Sequence, residues 1–316
     1  MIEYRHFRND DPPGLAVVWN EALSERGEVR LRHSSPLENY VFSKPYFDPA
    51  GLIVAVEDKV YVGFAHAGFG PNEAQTALDK SNGVTCAIAV RPSYRRRGVG
   101  SELLQRCENY LRAQGSQAVL AGPMPPFHPF YFGLYGGSDL PGFLVSDQAA
   151  EPFLRHHGYE IHGTTLVLHR SLGEAVNVAD GRFAALRRRF ELRMAPKSGA
   201  ASWWQECVQG PVEMVEFLLA DKTTGDIVAR TSVWEMDGFS WRWNQPTVGI
   251  VSLVVREDLR RQGLAKFLIA QLLRYLQEQF FALVEIQVNE ANSVALSFCQ
   301  GLGFQKVDSG RLFKKT

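Results

Sequence analysis

Ile88-Ala89-Val90-Arg91-Pro92-Ser93-Tyr94-Arg95-Arg96-Arg97-Gly98-Val99-Gly100-Ser101 and Leu253-Val254-Val255-Arg256-Glu257-Asp258-Leu259-Arg260-Arg261-Gln262-Gly263-Leu264-Ala265-Lys266 are two versions of one stretch. Each reads as an apolar strand, a short polar turn, Arg-x-x-Gly-x-Gly/Ala, and then an amphipathic helix. Small residues at Gly98 and Gly100, and at Gly263 and Ala265, let a ligand come close to the backbone. The helix that follows offers unpaired N–H groups and the positive end of its dipole. Such a site suits a phosphate, with arginines adding charge at its rim. One copy of so short a pattern is weak evidence; two copies in the same strand–helix setting are much stronger.

Working outward, the halves repeat. The helix after each motif has one apolar face, Leu103, Leu104, Cys107, Tyr110 and Leu111 in the first, and Leu264, Leu268, Leu272, Tyr275 and Leu276 in the second. Before each motif stands a hairpin signal, residues 51–57 with 60–69 around Asp58-Lys59, and 213–220 with 226–234 around Lys222-Thr223-Thr224-Gly225. Strands are expected over 84–90 and 247–255 before the motifs, and over 118–121 and 282–288 after the helices. Residues 2–8 alternate like a strand, and Asp10-Asp11-Pro12-Pro13 opens a helix to about Leu23. Helices are also expected over 36–42, 180–189 and 202–208. Arg95 and Ala118 lie 165 residues before Arg260 and Leu283, but Asp147, Ala150 and Phe153 lie only 145 before Asn292, Ala295 and Phe298. The first half therefore carries 20 extra residues after its fifth strand. A repeat of this length implies two related domains, 1–172 and 173–316, with the seam in 171–179 after a strand over 164–169.

The paired motifs resemble the GNAT superfamily of N-acetyltransferases, whose Arg/Gln-x-x-Gly-x-Gly/Ala loop cradles the pyrophosphate of acetyl-CoA. A second family motif, Asn-x-x-Ala-x-x-Phe/Leu-Tyr-x-x-x-Gly-Phe, is similar to Asn292, Ala295, Phe298, Cys299, Gly303 and Phe304. The resemblance implies an α/β (α+β) fold, two GNAT-type mixed β-sheets with flanking helices in tandem, arranged as in mycothiol synthase. It implies acetyl-CoA (CoA) as cofactor. The implied contacts are Ile88, Ala89, Val90, Arg95, Arg96, Arg97, Gly98, Val99, Gly100 and Ser101 in the first half. In the second they are Leu253, Val254, Val255, Arg260, Arg261, Gln262, Gly263, Leu264, Ala265, Lys266 and Asn292. A backbone N–H near 253–255 would polarise the thioester carbonyl.

In many relatives the tyrosine of the second motif protonates the departing thiolate. Here Cys299 stands in its place, and Leu154 does so in the first half, where no proton can be transferred. The more complete motif directs the expected turnover to the second half. Cys299 is either a proton donor, with an ordinary thiol pKa of about 8.5, or a small packed residue. Asn292 is either a cofactor contact or a helix cap. Glu285 on the fifth strand is the first candidate for general base, followed by Glu235 and Asp237. His66, alone on an apolar strand, reads as a packed residue. The rival to an enzyme is a non-catalytic acetyl-CoA-binding sensor or scaffold, which the missing tyrosines motivate. A dinucleotide site fits poorly, because Leu103 occupies the third glycine position.

The 34 basic and 34 acidic residues balance, which argues against nucleic acid or an anionic membrane as a partner. The four cysteines form no Cys-x-x-Cys pair and no zinc spacing, so no metal is expected. With neither a signal-peptide core nor a membrane-length apolar run, a cytoplasmic protein is expected. The acceptor would be a small-molecule or peptide amine, and the chain a monomer or a homodimer. Two aromatic segments remain. The extra residues 123–142 pack either beside the first domain's acceptor side or on the second domain. Trp234 with 239–246 lines an acceptor pocket or a domain interface.

Overall fold

In the first half the chain forms β1 (Glu3–His6), α1 (Pro12–Ala22), α2 (Ser35–Leu37), β2 (Leu52–Glu57), β3 (Val60–Pro71), β4 (Leu78–Val90), α3 (Val99–Ala113), β5 (Ala118–Ala121), β6 (Phe143–Leu144), α4 (Ala150–His156) and β7 (Tyr159–Ser171). The second half forms α5 (Phe183–Arg189), β8 (Phe190–Pro196), α6 (Trp203–Gln209), β9 (Val215–Asp221), β10 (Ile227–Glu235), α7 (Asp237–Trp243), β11 (Thr247–Val255), α8 (Leu264–Glu278), β12 (Leu283–Asn289), α9 (Ser293–Gly301) and β13 (Gln305–Lys315). This computed structural model describes residues 1–23, 26–174, 176 and 178–316, so Ala175 and Asn177 of the expected seam lie outside the described residues.

The α/β fold contains a single mixed sheet of 13 strands among the described residues, in the order β1-β2-β3-β4-β5-β13-β7-β12-β11-β10-β9-β8, with β6 alongside β13. Only β4–β5 and β11–β12 pair in parallel. The repeat makes β7 and β13 counterparts, yet each lies with the other half's strands. β7 pairs with β12, setting His169 opposite Glu285, and β13 pairs with β5, setting Phe313 opposite Ala121. The two exchanged strands pair antiparallel with each other from Gln305–His169 to Lys315–Tyr159. The two expected mixed sheets are thereby joined edge to edge, which removes the unpaired edges that β5 and β12 would otherwise expose.

The cores follow the exchange. Phe313, from the last strand of the chain, packs with Leu103, Cys107, Leu111 and Leu154 under α3. Leu168, from the first half, packs with Phe267, Leu268 and Leu272 under α8. On the opposite sheet face, reached by alternate residues such as Leu52 and Val54, a third core spans both halves and includes Trp19, Phe130, Trp204, Trp234 and Phe239. Lys315 reaches α3 as well, donating to both carboxylate oxygens of the buried Glu108 at 2.6 Å, and Tyr159 donates to the same group.

Several local expectations change. Phe190, next to the expected helix over 180–189, opens the unexpected strand β8, whose Phe190, Leu192 and Met194 alternate as a strand requires. β4 starts at Leu78 and β7 at Tyr159, both earlier than expected. The stretch 239–246 is not a loop: most of it is α7, closed by Asn244 in the left-handed region at φ 52°. The extra segment packs on both candidate surfaces. Phe130 stacks on His66 of β3, while Phe132 meets Trp234 of β10 and Trp234 Nε1 donates to Ser138 O. No described helix is long and apolar enough to cross a membrane.

Phe313→Ala is expected to cost about 3–5 kcal/mol, the range for emptying a buried phenylalanine site. Hydrogen exchange should show the lost protection in α3 and β5, more than 190 residues away in sequence. Loss confined to α8 and β12 would contradict the exchange.

Candidate active site

The two glycine loops share one backbone path. Each begins with a 3-10 turn, 92–94 or 257–259, and passes through Arg95 at φ −66° or Arg260 at −62°. Arg96 and Arg261 follow in the left-handed region at φ 62° and 66°. Gly98 and Gly263, at φ 82° and 87°, then start α3 and α8 without a capping side chain. That conformation favours glycine, and it leaves the first-turn N–H groups without a side-chain cap. Arg95 and Arg260 build the loop more than they charge it: their Nε atoms donate to the strand-end carbonyls of Val90 and Val255 at 3.2 and 3.4 Å.

What lies beside each loop differs. In the first half β4 and β5 pair only from Asn82–Ala118 to Thr85–Ala121 and then part. Cys86 forms a bulge against β3 at that point. The gap opens into a cavity of about 680 Å³. Ile88, Val90, Arg95, Arg96, Gly98, Gly100 and Ser101, from the first glycine motif, line it. Of the other expected contacts, Ala89 and Val99 are buried in the core, and Arg97 lies over the Tyr94 ring. Ala150, Phe153 and Leu154 of α4 form the facing wall. The closed end is made by Trp19, Glu28, Cys86, Tyr131 and Tyr135. His157 stands at the mouth, its Nδ1 on Phe153 O at 2.8 Å and its Nε2 3.0 Å from Ser101 Oγ. Ala150, Phe153 and Leu154 stand at positions of the second motif and Tyr131 and Tyr135 belong to the aromatic insert, whereas Trp19 and Glu28 had no local signal for this cavity.

In the second half β11 and β12 likewise part after Ile250–Ile286, and Val251 occupies the bulge. Here, however, the chain after β7 runs back along α8. Gln277 donates to Leu172 O, Arg274 to Val178 O, and Lys266 to Ala179 O. The strap ends at the loop. Asp180 pairs with Arg182 at 2.7 Å and Lys266 at 3.7 Å, and a Cβ on Gly263 would come within 3.0 Å of the Arg182 guanidinium carbon. A Cβ on Gly98 would meet nothing within 4 Å among the described residues. The Asp180 carboxyl is held well below the usual carboxylate range by its hydrogen bonds from Arg182.

The catalytic expectations for the second half need correction. Glu285 is fully buried at the join between the halves. One of its oxygens accepts from Ser138 N at 2.6 Å and Gln287 Nε2 at 3.2 Å, and the other lies 2.7 Å from His169 Nε2. A carboxylate bound on both oxygens and shut from solvent holds the insert onto β12 and has no access to an acceptor. Cys299 is the packed residue of the two alternatives. It is 1% exposed in the core under α8, and burial pushes its thiol up to about 11. Asn292 is the cap: its side chain accepts from Ala295 N at 3.0 Å. Of the remaining expected contacts, Leu253 and Val255 pack partly against the α8 core and Val254 is exposed. Arg261 offers its carbonyl to Arg182, and Gln262 Nε2 turns back toward Asp258 O at 3.5 Å. Leu264 is buried in the core, while Ala265 stays in the first turn of α8. Glu235 and Asp237 are exposed on a groove of about 1440 Å³ that no residue of either glycine loop lines. Among the described residues no cluster of three or more His, Cys, Asp or Glu could hold a metal.

The family model described as Acetyltransferase (GNAT) family matches the chain twice, over residues 15–133 and 186–304. The chain belongs to the GNAT family. GNAT relatives among solved structures share the fold across both halves. A tandem GNAT protein from the clavulanic acid biosynthesis pathway is 16% identical, with a TM-score of 0.69, and the match covers 99% of this chain and 98% of that one. A glucosamine N-acetyltransferase region of a fungal multi-domain β-N-acetylglucosaminidase is also 16% identical, with a TM-score of 0.70, covering 99% of this chain but 38% of that one. A GCN5-related N-acetyltransferase from Sphaerobacter thermophilus is 14% identical at a TM-score of 0.62, covering 99% and 95%. No curated protein sequence matches this GNAT chain.

Glu285→Ala leaves the buried Ser138 N–H without its acceptor, so it should destabilise the fold by about 2–3 kcal/mol. Urea unfolding checks this, and an unchanged midpoint would rule out the structural role.

Proposed function

We propose that this protein transfers an acetyl group from acetyl-CoA to an amine acceptor, a small molecule or a peptide, and that the first half carries the reaction. The observation behind this reading is the cavity running from the uncovered Gly98 loop to the aromatic closed end. Its residues suit the cofactor. The first-turn N–H groups of α3, with Arg96 at the rim, would hold the pyrophosphate. Ile88 and Val90 on one wall, with Ala150 and Phe153 on the other, would flank the pantetheine arm. When bound, acetyl-CoA supplies the activated acyl group. Glu28, 5% exposed at the closed end, is the carboxylate placed to take the proton from the acceptor ammonium. Trp19 and Tyr135 would exclude water there.

This assignment departs from the expectation that the second half turns over. The second motif is more complete in that half, but Glu285 and Cys299 are buried in structural roles and Arg182 lies on Gly263. We therefore assign the second half to completing the sheet and holding the insert.

Calorimetric titration with acetyl-CoA tests the division. One site per chain is expected. Gly100→Glu, which puts a carboxylate beside Phe153 in the first loop, should weaken binding at least about 100-fold, a loss near 2.7 kcal/mol. The matching Ala265→Glu should leave affinity within about twofold, or 0.4 kcal/mol. The opposite pattern would return the reaction to the second half, and no binding to the wild-type chain would overturn the acyl-CoA reading.

A further inference from the structure

One buried hydroxyl at the closed end of the first-half cavity is held in an unusual way. Tyr131 is 2% exposed, lines the cavity, and stacks on Trp19 with ring centroids 5.4 Å apart. Its backbone lies at φ 73°, in the left-handed region that a bulky side chain rarely adopts. Such an outlier persists only where the surroundings fix it. The residues after it, from Phe132 to Ser138, are pinned to β10 and β12, as described above. Its Oη lies 3.0 Å from His66 Nδ1.

His66 is fully buried, and Phe130 stacks over its ring at 4.1 Å. Burial drives its pKa down to about 3, so the ring is neutral and carries one N–H. Its Nε2 has no hydrogen-bond partner among the described residues. A buried orphan N–H is rarer than a buried orphan acceptor, so we assign the proton to Nδ1. His66 then donates to Tyr131 Oη, and the tyrosine's own proton is left for the cavity.

We infer that Tyr131, positioned by His66, donates a hydrogen bond to the departing thiolate sulfur, a role that Leu154 on α4 cannot fill. This rests on the acyl-CoA reading above. In the transfer the acceptor nitrogen attacks the thioester carbonyl carbon, a C–N bond forms, and the C–S electron pair leaves on sulfur. The proton given up by the acceptor nitrogen balances the one that sulfur finally carries. Tyr131 keeps its own, because burial raises its pKa well above the ordinary tyrosine value. Its contribution is to stabilise charge on sulfur as the bond breaks. The insert that carries Tyr131 occurs only in the first half.

Binding of CoA and of desulfo-CoA to the full-length chain tests this without any acceptor. The titratable groups around Tyr131 are Cys86, Cys107, Tyr135, Glu28 and His66, and the phosphates, adenosine and pantetheine common to both ligands cancel when the two are compared. The ratio of the two dissociation constants therefore reports the thiol. If Tyr131 lowers the bound thiol pKa by one unit from an ordinary value of about 8.5, CoA should gain about sixfold over desulfo-CoA between pH 7 and pH 9. The gain should vanish in Tyr131→Phe and in His66→Leu, and persist in Tyr275→Phe, whose ring packs beside the second-half core away from this cavity. A flat ratio in the wild-type chain overturns the inference whether or not the variants fold. So does a gain that survives in Tyr131→Phe or His66→Leu, or one lost in Tyr275→Phe. If CoA does not bind at all, the acyl-CoA reading fails, and this inference with it.

Discussion

The antiparallel pairing of β7 with β13 is the constraint on which the rest of the molecule depends. Each strand closes the opposite half's sheet and delivers an apolar side chain to the opposite core, Leu168 in one direction and Phe313 in the other. A half taken alone would lack its terminal strand, part of its core and an edge for pairing. The Lys315–Glu108 contact adds a charged lock at the end of the exchange. Because Lys315 has withdrawn its side chain from most solvent and Glu108 is buried, breaking either partner would leave the other poorly solvated.

The exchange also explains why similar loops have unequal surroundings. Crossing into the other sheet places the end of β7 beside β12, far from the start of β8, and the connecting chain covers the distance along α8. That path brings Asp180 and Arg182 onto the second glycine loop. At the first loop, Arg95 donates to Ala22 O at the end of α1, and among the described residues nothing comes within 4 Å of a Cβ on Gly98. The same peptide conformation thus has one covered and one accessible copy, a difference set by topology and not by the motif.

Much of this was legible from local pattern. The glycine loops are fixed by backbone conformations that only certain residues accept, and the apolar faces of α3 and α8 follow directly from helical spacing. The cavity-lining residues of the first loop follow from that pattern. What was hidden depends on contacts between distant residues. Nothing in the alternation of 305–315 specifies β5 as a neighbour, and β13 was not foreseen. Glu285 reads as a base because it is a carboxylate on the fifth strand, where the resemblance places one. It is buried because residues 136–139 bring an N–H and two carbonyls to its side of β12. Cys299 and Asn292 each had two readings, and packing and capping decided both.

The extra 20 residues of the first half tie these features together. Their chain makes hydrogen bonds to Glu285, Gln287 and Trp234 on the second half's strands. Their aromatic side chains reach back to His66 and to the closed end of the first-half cavity. One segment is thus both the clamp between the halves and the inner wall of the cavity. A local energetic conflict, the left-handed backbone at Tyr131, is held in place by contacts on both sides of it. In this arrangement the second half acts on the cavity through the insert it anchors. Phe132 against Trp234 and Ser138 on Glu285 fix the stretch of chain that follows Tyr131 and carries Tyr135.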